Sequence, residues 1–296
     1  MDRIESLTIT LIAPGLLSAA DAALASETLA AAGATPGGWA WLDEGDALDL
    51  SVRGMAAPDA RALLEAALLH VDVVVQGADL PRRKTLLVAD MDSTMIQCEC
   101  IDELADYAGL KPQVAAITEA AMRGELDFAD ALKARVALLK GLPLATLDEC
   151  RRDRVRLTPG ALTLVRTMAA NGAHTLLVSG GFTAFTGPVA AEIGFAAQQA
   201  NVLLSADGRL TGEVAQPIVD AQTKRTALLG AGVPLQSTLA VGDGANDIPM
   251  LEAASLGIAF HAKPRAAEAA DAHVRHGDLT VLLWAQGYRR ADWWRA

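Results

Sequence analysis

Within residues 1–80 the apolar positions spell strand, helix, strand, strand, helix, strand. Residues 7–12 are a β-prone apolar run, and the Pro14-Gly15 turn opens an Ala- and Leu-rich stretch that predicts a helix to about Ala32. Residues 37–42 and 47–52 read as two strands around the acidic turn Asp43-Glu44-Gly45-Asp46. Residues 57–69 have helical period, and residues 71–75 read as a short strand. That order predicts a small α+β sandwich of ferredoxin-like type. Pro81-Arg82-Arg83-Lys84 then reads as a polar linker.

From Thr85 onward apolar strands alternate with helices, which predicts a parallel α/β sheet. The strand candidates are residues 86–89, 175–178, 238–241 and 257–260, and each of the first three runs straight into polar or glycine residues. In such sheets ligands sit at the carboxyl ends of the strands. Between the first two strands the chain is helical in character from Ile101 past Arg156, far longer than a crossover helix requires. An inserted helical subdomain is therefore expected.

Composition narrows the class. The chain has 296 residues, 52% of them hydrophobic and 21% charged, which suits a globular enzyme of two or three units. No apolar run approaches the roughly 20 residues that span a bilayer, and residues 1–6 do not read as a signal peptide. Cys98, Cys100 and Cys150 are too few for a disulfide framework and fit a reducing compartment, so a cytoplasmic protein is expected. The net charge is −11; residues 1–80 carry twelve acidic and three basic side chains, the remainder 24 and 22. Neither part offers the basic face that nucleic acid needs. An anionic substrate would have to be held by a metal and a few placed cations.

Three strand ends carry candidate chemistry. Leu86-Leu87-Val88-Ala89 leads into Asp90-Met91-Asp92, two carboxylates that point the same way if the chain stays extended. Two close carboxylates can divide labour when their environments separate their pKa values. Val178 leads into Ser179-Gly180-Gly181, a hydroxyl beside glycines whose N–H groups can approach an anion. Val241-Gly242 leads into Asp243-Gly244-Ala245-Asn246-Asp247, carboxylates able to share a hard cation with Asp90. Lys224 opens the helix after Asp220. Each cluster alone also fits a turn or a solvated loop.

Taken in order, Asp90/Asp92, Ser179, Lys224 and Asp243/Asp247 resemble the four motifs of the haloacid dehalogenase superfamily. Within it, Asp92-Ser93-Thr94 followed by Glu99-Cys100-Ile101-Asp102-Glu103 is similar to the phosphoserine phosphatase family, as are residues 124–128 and 242–250. The resemblance runs from about Lys84 to Gly287. It implies a Rossmann-like parallel-sheet core of residues 84–98 and 157–296, with a helical cap inserted at 99–156. Residues 1–80 resemble the ACT-like domains appended to amino-acid enzymes. The implied activity is magnesium-dependent hydrolysis of O-phospho-L-serine through a phospho-aspartyl enzyme, the last step of serine biosynthesis.

The resemblance also implies roles. Asp90 is the nucleophile and Asp92 the general acid and base. Mg²⁺ is held by the Asp90 and Asp243 carboxylates and the backbone carbonyl of Asp92, with Asp247 in support. Ser179, the Gly180 N–H and Lys224 hold phosphoryl oxygens, and Asn246 contacts substrate or phosphate. Glu99 takes the substrate ammonium, Arg135 its carboxylate, and Met122 and Phe128 line the pocket. Read as residues alone, Arg135 also fits an exposed helical face, and Met122 and Phe128 a core. No nucleic-acid or membrane partner is expected, and a homodimer is compatible with this organisation. Two other readings stay open: a phosphatase for another small ester such as phosphothreonine or phosphohomoserine, and a regulatory amino-acid-binding protein. Because every motif lies beyond Thr85, a chain beginning near Arg82 is expected to retain hydrolysis.

Overall fold

A computed structural model of the chain describes residues 6–122 and 125–295, with only the backbone of Met122 included. β1 (Ser6–Ile12), α1 (Ala19–Ala31), β2 (Thr35–Asp43), β3 (Ala47–Arg53), α2 (Ala57–Ala67) and β4 (Asp72–Gly77) follow the predicted order. They form an antiparallel sheet in the order β2-β3-β1-β4. Alternation decides which face is which. Leu7, Ile9 and Leu11 of β1, with Leu48, Leu50 and Val52 of β3, pack with Ala25 and Leu29 of α1 and Leu64 of α2. Ile12, Ala47 and Val74 instead join the core of the following domain. At β1 and β4 the N-terminal sheet is thus buried on both faces, while its edge strand β2 stays largely exposed.

The second sheet is built from β5 (Leu86–Ala89), β6 (His174–Phe182), β7 (Ala197–Asn201), β10 (Thr238–Gly242), β11 (Leu256–Phe260) and β12 (Ala272–Val274). All its pairings are parallel, in the order β12-β11-β10-β5-β6-β7. β5, β10 and β11 are buried along their whole length, which explains their unbroken apolar sequences. The chain fills one side of β5 first and then returns to fill the other. The crevice between β5 and β10, at the strands' carboxyl ends, is therefore the topological switch point where ligands bind in such sheets. Helices α7 (Ala161–Ala170), α8 (Thr183–Ile193), α9 (Ala221–Leu229), α10 (Ile248–Ala253), α11 (Pro264–Ala269) and α12 (Val281–Ala285) accompany this sheet.

Between β5 and β6 lies the insertion: α3 (Cys100–Tyr107), α4 (Lys111–Met122), α5 (Phe128–Leu138) and α6 (Leu144–Arg154). Asp127 starts α5 by accepting the Asp130 N–H at 2.8 Å, satisfying one of the N–H groups a helix start leaves unpaired. Two features depart from the sequence reading. β6 does not end at Val178 but continues through Ser179-Gly180-Gly181 to Phe182, with a register shift against β7 on the way. The hairpin β8 (Leu203–Ala206) and β9 (Arg209–Val214) was not anticipated. Its Asp207-Gly208 turn has φ +51° and +73°, the left-handed pair that matches strand twist. At the tail, Trp293 meets Trp284 edge-on at 4.7 Å, and Trp284 Nε1 donates to Asp43 at 2.7 Å, tying the C-terminus to both domains.

Candidate active site

β5 delivers Asp90 directly, with its N–H on Val241 O at 3.0 Å. The chain then makes one tight turn, Met91–Met95, in which Asp92 is extended and Ser93 left-handed at φ +54°. Asp92 Oδ1 accepts the N–H of Cys100, the first residue of α3, at 3.0 Å. The start of the cap thereby orients the second carboxylate. Gly181 makes room for it, since a Cβ there would lie 2.8 Å from Asp92 Oδ2.

Asp90 Oδ1 accepts the Met91 N–H at 2.8 Å and lies 2.6 Å from Lys224 Nζ. Lys224 also reaches Asp247 Oδ1 at 2.7 Å. Asp247 turns its other oxygen to the N–H groups of Asp243 (3.2 Å) and Gly244 (3.0 Å), holding the loop after β10. Gly242 is needed here: a Cβ would fall 2.3 Å from Asp247 Cγ. Lys224 is 1% exposed and Asp247 fully buried, so each offsets the other's buried charge; breaking that pair by removing one partner costs about 3–5 kcal/mol.

Burial and like charge shape the titration. Burial first, then repulsion from Asp247, pushes the Asp90 carboxyl well above the ordinary carboxylate range, with Lys224 pulling the other way. Burial, reinforced by Glu99, pushes Asp92 up to about 7, opposed by hydrogen bonds from Cys100. Burial raises Asp243 to about 6, opposed by Lys263. For Lys224 burial alone lowers the ammonium, but Asp90 and Asp247 more than offset this and hold it above the ordinary lysine range. Asp90, Asp243 and Asp247 each offer an oxygen within 4.8 Å of the others, a buried acidic cluster of the kind that holds a metal ion.

Above this cluster lies a cavity of about 220 Å³. Asp90, Asp92, Ser179, Gly180, Asp243 and Asn246 line it from the core, and Glu99, Phe128 and Arg135 from the cap. Ser179 is fully buried and accepts the Gly181 N–H at 2.9 Å, which leaves its hydroxyl hydrogen to donate. Glu99 accepts from Ser93 Oγ at 2.9 Å. Arg135 bonds Ala131 O through Nε at 3.3 Å; burial lowers its pKa, with Asp102 and Glu99 opposing. The side chain of Met122 lies outside the described residues. Lys224 and Asp247 sit beneath, bonded to Asp90 and to the Asp243 loop.

Sequence reasoning missed Lys263. Its side chain is 71% exposed, lines the cavity and stands 3.6 Å from Asp243 Oδ2. A lysine three residues beyond the strand at 257–260 was a signal of the same kind as the other strand ends. Leu132 of α5 and Ile101 of α3 add apolar lining.

Residues 87–252 match the model of the haloacid dehalogenase-like hydrolase family. The chain is 47% identical over 253 residues to the phosphoserine phosphatase of Streptomyces coelicolor, covering 83% of this chain and 62% of that relative. The chain thus spans about six tenths of that curated relative's length. Among solved structures it is similar to a haloacid dehalogenase family hydrolase from Salmonella enterica serovar Typhi, with TM-score 0.81 and 30% identity over 94% of this chain and 98% of that one. It is also similar to a phosphoserine phosphatase solved as a phospho-aspartyl intermediate analogue, with TM-score 0.63 and 38% identity over 68% of this chain and 98% of that one.

Proposed function

Because this chain belongs to the haloacid dehalogenase-like hydrolase family, we propose that it hydrolyses O-phospho-L-serine to serine and phosphate through an aspartyl-phosphate on Asp90. The observation that carries this reading is the lining of one small cavity. It combines a carboxylate pair and a buried hydroxyl for phosphate chemistry with Glu99 and Arg135, opposite charges that match an ammonium and a carboxylate. The similarity to phosphoserine phosphatases supports the same substrate.

Magnesium suits the acidic cluster because its donors are hard carboxylate oxygens and the local charge is negative even with Lys224 in place. Asp90 and Asp243 would hold the ion with the Asp92 carbonyl, and Asp247 would support them. When bound, it would offset the charge that otherwise repels a phosphate dianion.

In the first step an Asp90 oxygen bonds to phosphorus, the bond from phosphorus to the serine oxygen breaks, and Asp92 gives its proton to that oxygen. Serine is a poor leaving group, so a placed acid is needed. In the second step the Asp92 carboxylate takes a proton from water as it attacks phosphorus, releasing Asp90 and phosphate. A carboxyl held near 7 suits both duties in one cycle. Lys224, the Ser179 hydroxyl and the Gly180 N–H hold phosphoryl oxygens, and Asn246 contacts the substrate. Phe128 gives the serine portion an apolar wall. Such fixed electrostatics are the main protein contribution to phosphoryl transfer.

Arg135→Ala tests the substrate assignment. A hydrogen bond to a charged partner contributes about 1.5–3 kcal/mol, so kcat/KM for phosphoserine should fall about 10- to 150-fold. For p-nitrophenyl phosphate, which has no carboxylate, it should hold near wild type. Arg135→Lys should recover only part, since an ammonium lacks the two-pronged grip. Equal losses on both esters would assign Arg135 to the scaffold instead.

A further inference from the structure

The N-terminal domain reaches toward the active-site end of the core through one buried carboxylate. Asp72, at the start of β4, is 1% exposed, and β4 lies beside β12, the edge strand of the core sheet. Asp72 Oδ1 accepts the backbone N–H of Arg275 at 2.7 Å and of His276 at 3.2 Å, and Oδ2 that of Gly277 at 2.8 Å. Three successive amides of the core thus close on one carboxylate of the other domain, a nest that sets the course of the chain after β12.

That loop holds the next one. Gly277 O bonds His261 Nε2 at 3.0 Å, and Val274 O accepts the His261 N–H at 2.9 Å. His261 directly follows β11 and sits at φ +43°, a conformation unfavourable for a non-glycine residue that persists only where its surroundings enforce it. Two residues on, the Lys263 N–H donates to Asp243 O at 3.0 Å, and Lys263 Nζ stands 3.6 Å from Asp243 Oδ2.

We propose that Asp72 is a positioning residue for the active site: through residues 275–277 and His261 it fixes the loop that backs Asp243. The N-terminal domain is then part of the machinery that presents the metal-binding carboxylate, and a chain beginning near Arg82 lacks it. This rests on the reading of Asp243 as a magnesium ligand.

The test uses the full chain and compares wild type with Asp72→Asn, Asp72→Ala, His261→Ala and Arg82→Gln. Mg²⁺ affinity is measured by calorimetry without substrate, alongside Tm and the kcat and KM for phosphoserine. Residues that orient metal ligands typically change affinity 10- to 100-fold. Asp72→Ala and His261→Ala should therefore weaken Mg²⁺ binding by about 10-fold, and Asp72→Asn, which keeps one acceptor, by less. Arg82 ties the same two domains elsewhere, bonding Asp49, Thr10 and the Trp284 and Ala285 carbonyls. Arg82→Gln should lower Tm yet leave Mg²⁺ affinity at the wild-type value. Should Asp72→Ala fail to fold, the near-isosteric Asp72→Asn and the core-side His261→Ala decide. Wild-type Mg²⁺ affinity in folded Asp72→Asn and His261→Ala would overturn the proposal, as would an equal loss in Arg82→Gln. A wild-type protein that neither binds Mg²⁺ nor hydrolyses phosphoserine would instead refute the functional reading, and the proposal with it.

Discussion

Asp90→Asn is expected to cut kcat for phosphoserine by about 10⁴-fold or more, because removal of a covalent nucleophile disables the whole route. The fold should be unaffected. Both local donors, the Met91 N–H and Lys224 Nζ, fall on Oδ1, and an asparagine carbonyl can accept both. The substitution also removes one negative charge from a buried cluster in which Asp90 and Asp247 repel each other. The Tm of the metal-free variant should therefore match or exceed that of wild type. Phosphate release, with mass spectrometry excluding deamidation back to aspartate, measures the effect. Near-wild-type turnover would remove Asp90 from the nucleophile's role.

Asp92→Asn should lower kcat for phosphoserine by about 10²- to 10⁴-fold, the usual contribution of a placed acid or base. Its signature is more informative than its size. With p-nitrophenyl phosphate the leaving group needs little help, so the first step should survive while attack by water on the phosphoenzyme stalls. Rapid mixing should then show a burst of p-nitrophenol close to one per active site, followed by slow turnover. The Cys100 N–H that holds Asp92 at 3.0 Å is a backbone group and remains available to the asparagine oxygen. A uniform loss on both esters with no burst would mean that Asp92 supports the site without moving protons.

What the chain displayed in advance was local. β5, β10 and β11 announce themselves because strands buried on both faces need apolar runs, and the carboxylates that follow β5 and β10, Asp90 and Asp243, line the cavity. The N-terminal order of strands and helices was legible for the same reason, since period alone distinguishes them. The β8–β9 hairpin was readable in principle from Asp207-Gly208, but its strands are short and largely exposed, so alternation gave no support. β12 has three residues, too few to show any period.

Convergence was not legible. Glu99 and Arg135 meet at one cavity only because α3 and α5 fold over the sheet, and their spacing in the chain encodes nothing of that. The resemblance to a known family supplied both. Asp72 is harder still. It reads as one more acidic residue in an acidic domain, yet its partners lie more than 200 residues away and are backbone amides with no side-chain signature. His261 carries no signal in the sequence either; its place in the proposal comes from its φ and from a carbonyl bond, both tertiary facts. The docking of the N-terminal sheet through Ile12, Ala47 and Val74 was likewise hidden, because a strand buried on both faces looks like any apolar strand.

The central claim is tested most directly by phosphate release from a panel of esters at equal concentration, with Mg²⁺ and after thorough chelation. The panel should contain phosphoserine, phosphothreonine, phosphohomoserine, sugar phosphates and p-nitrophenyl phosphate. The cavity chemistry predicts the highest kcat/KM for phosphoserine, loss of activity on chelation, and recovery when Mg²⁺ is restored. Full activity in metal-stripped protein, or preference for an ester lacking the ammonium and carboxylate that Glu99 and Arg135 are assigned to bind, would contradict it.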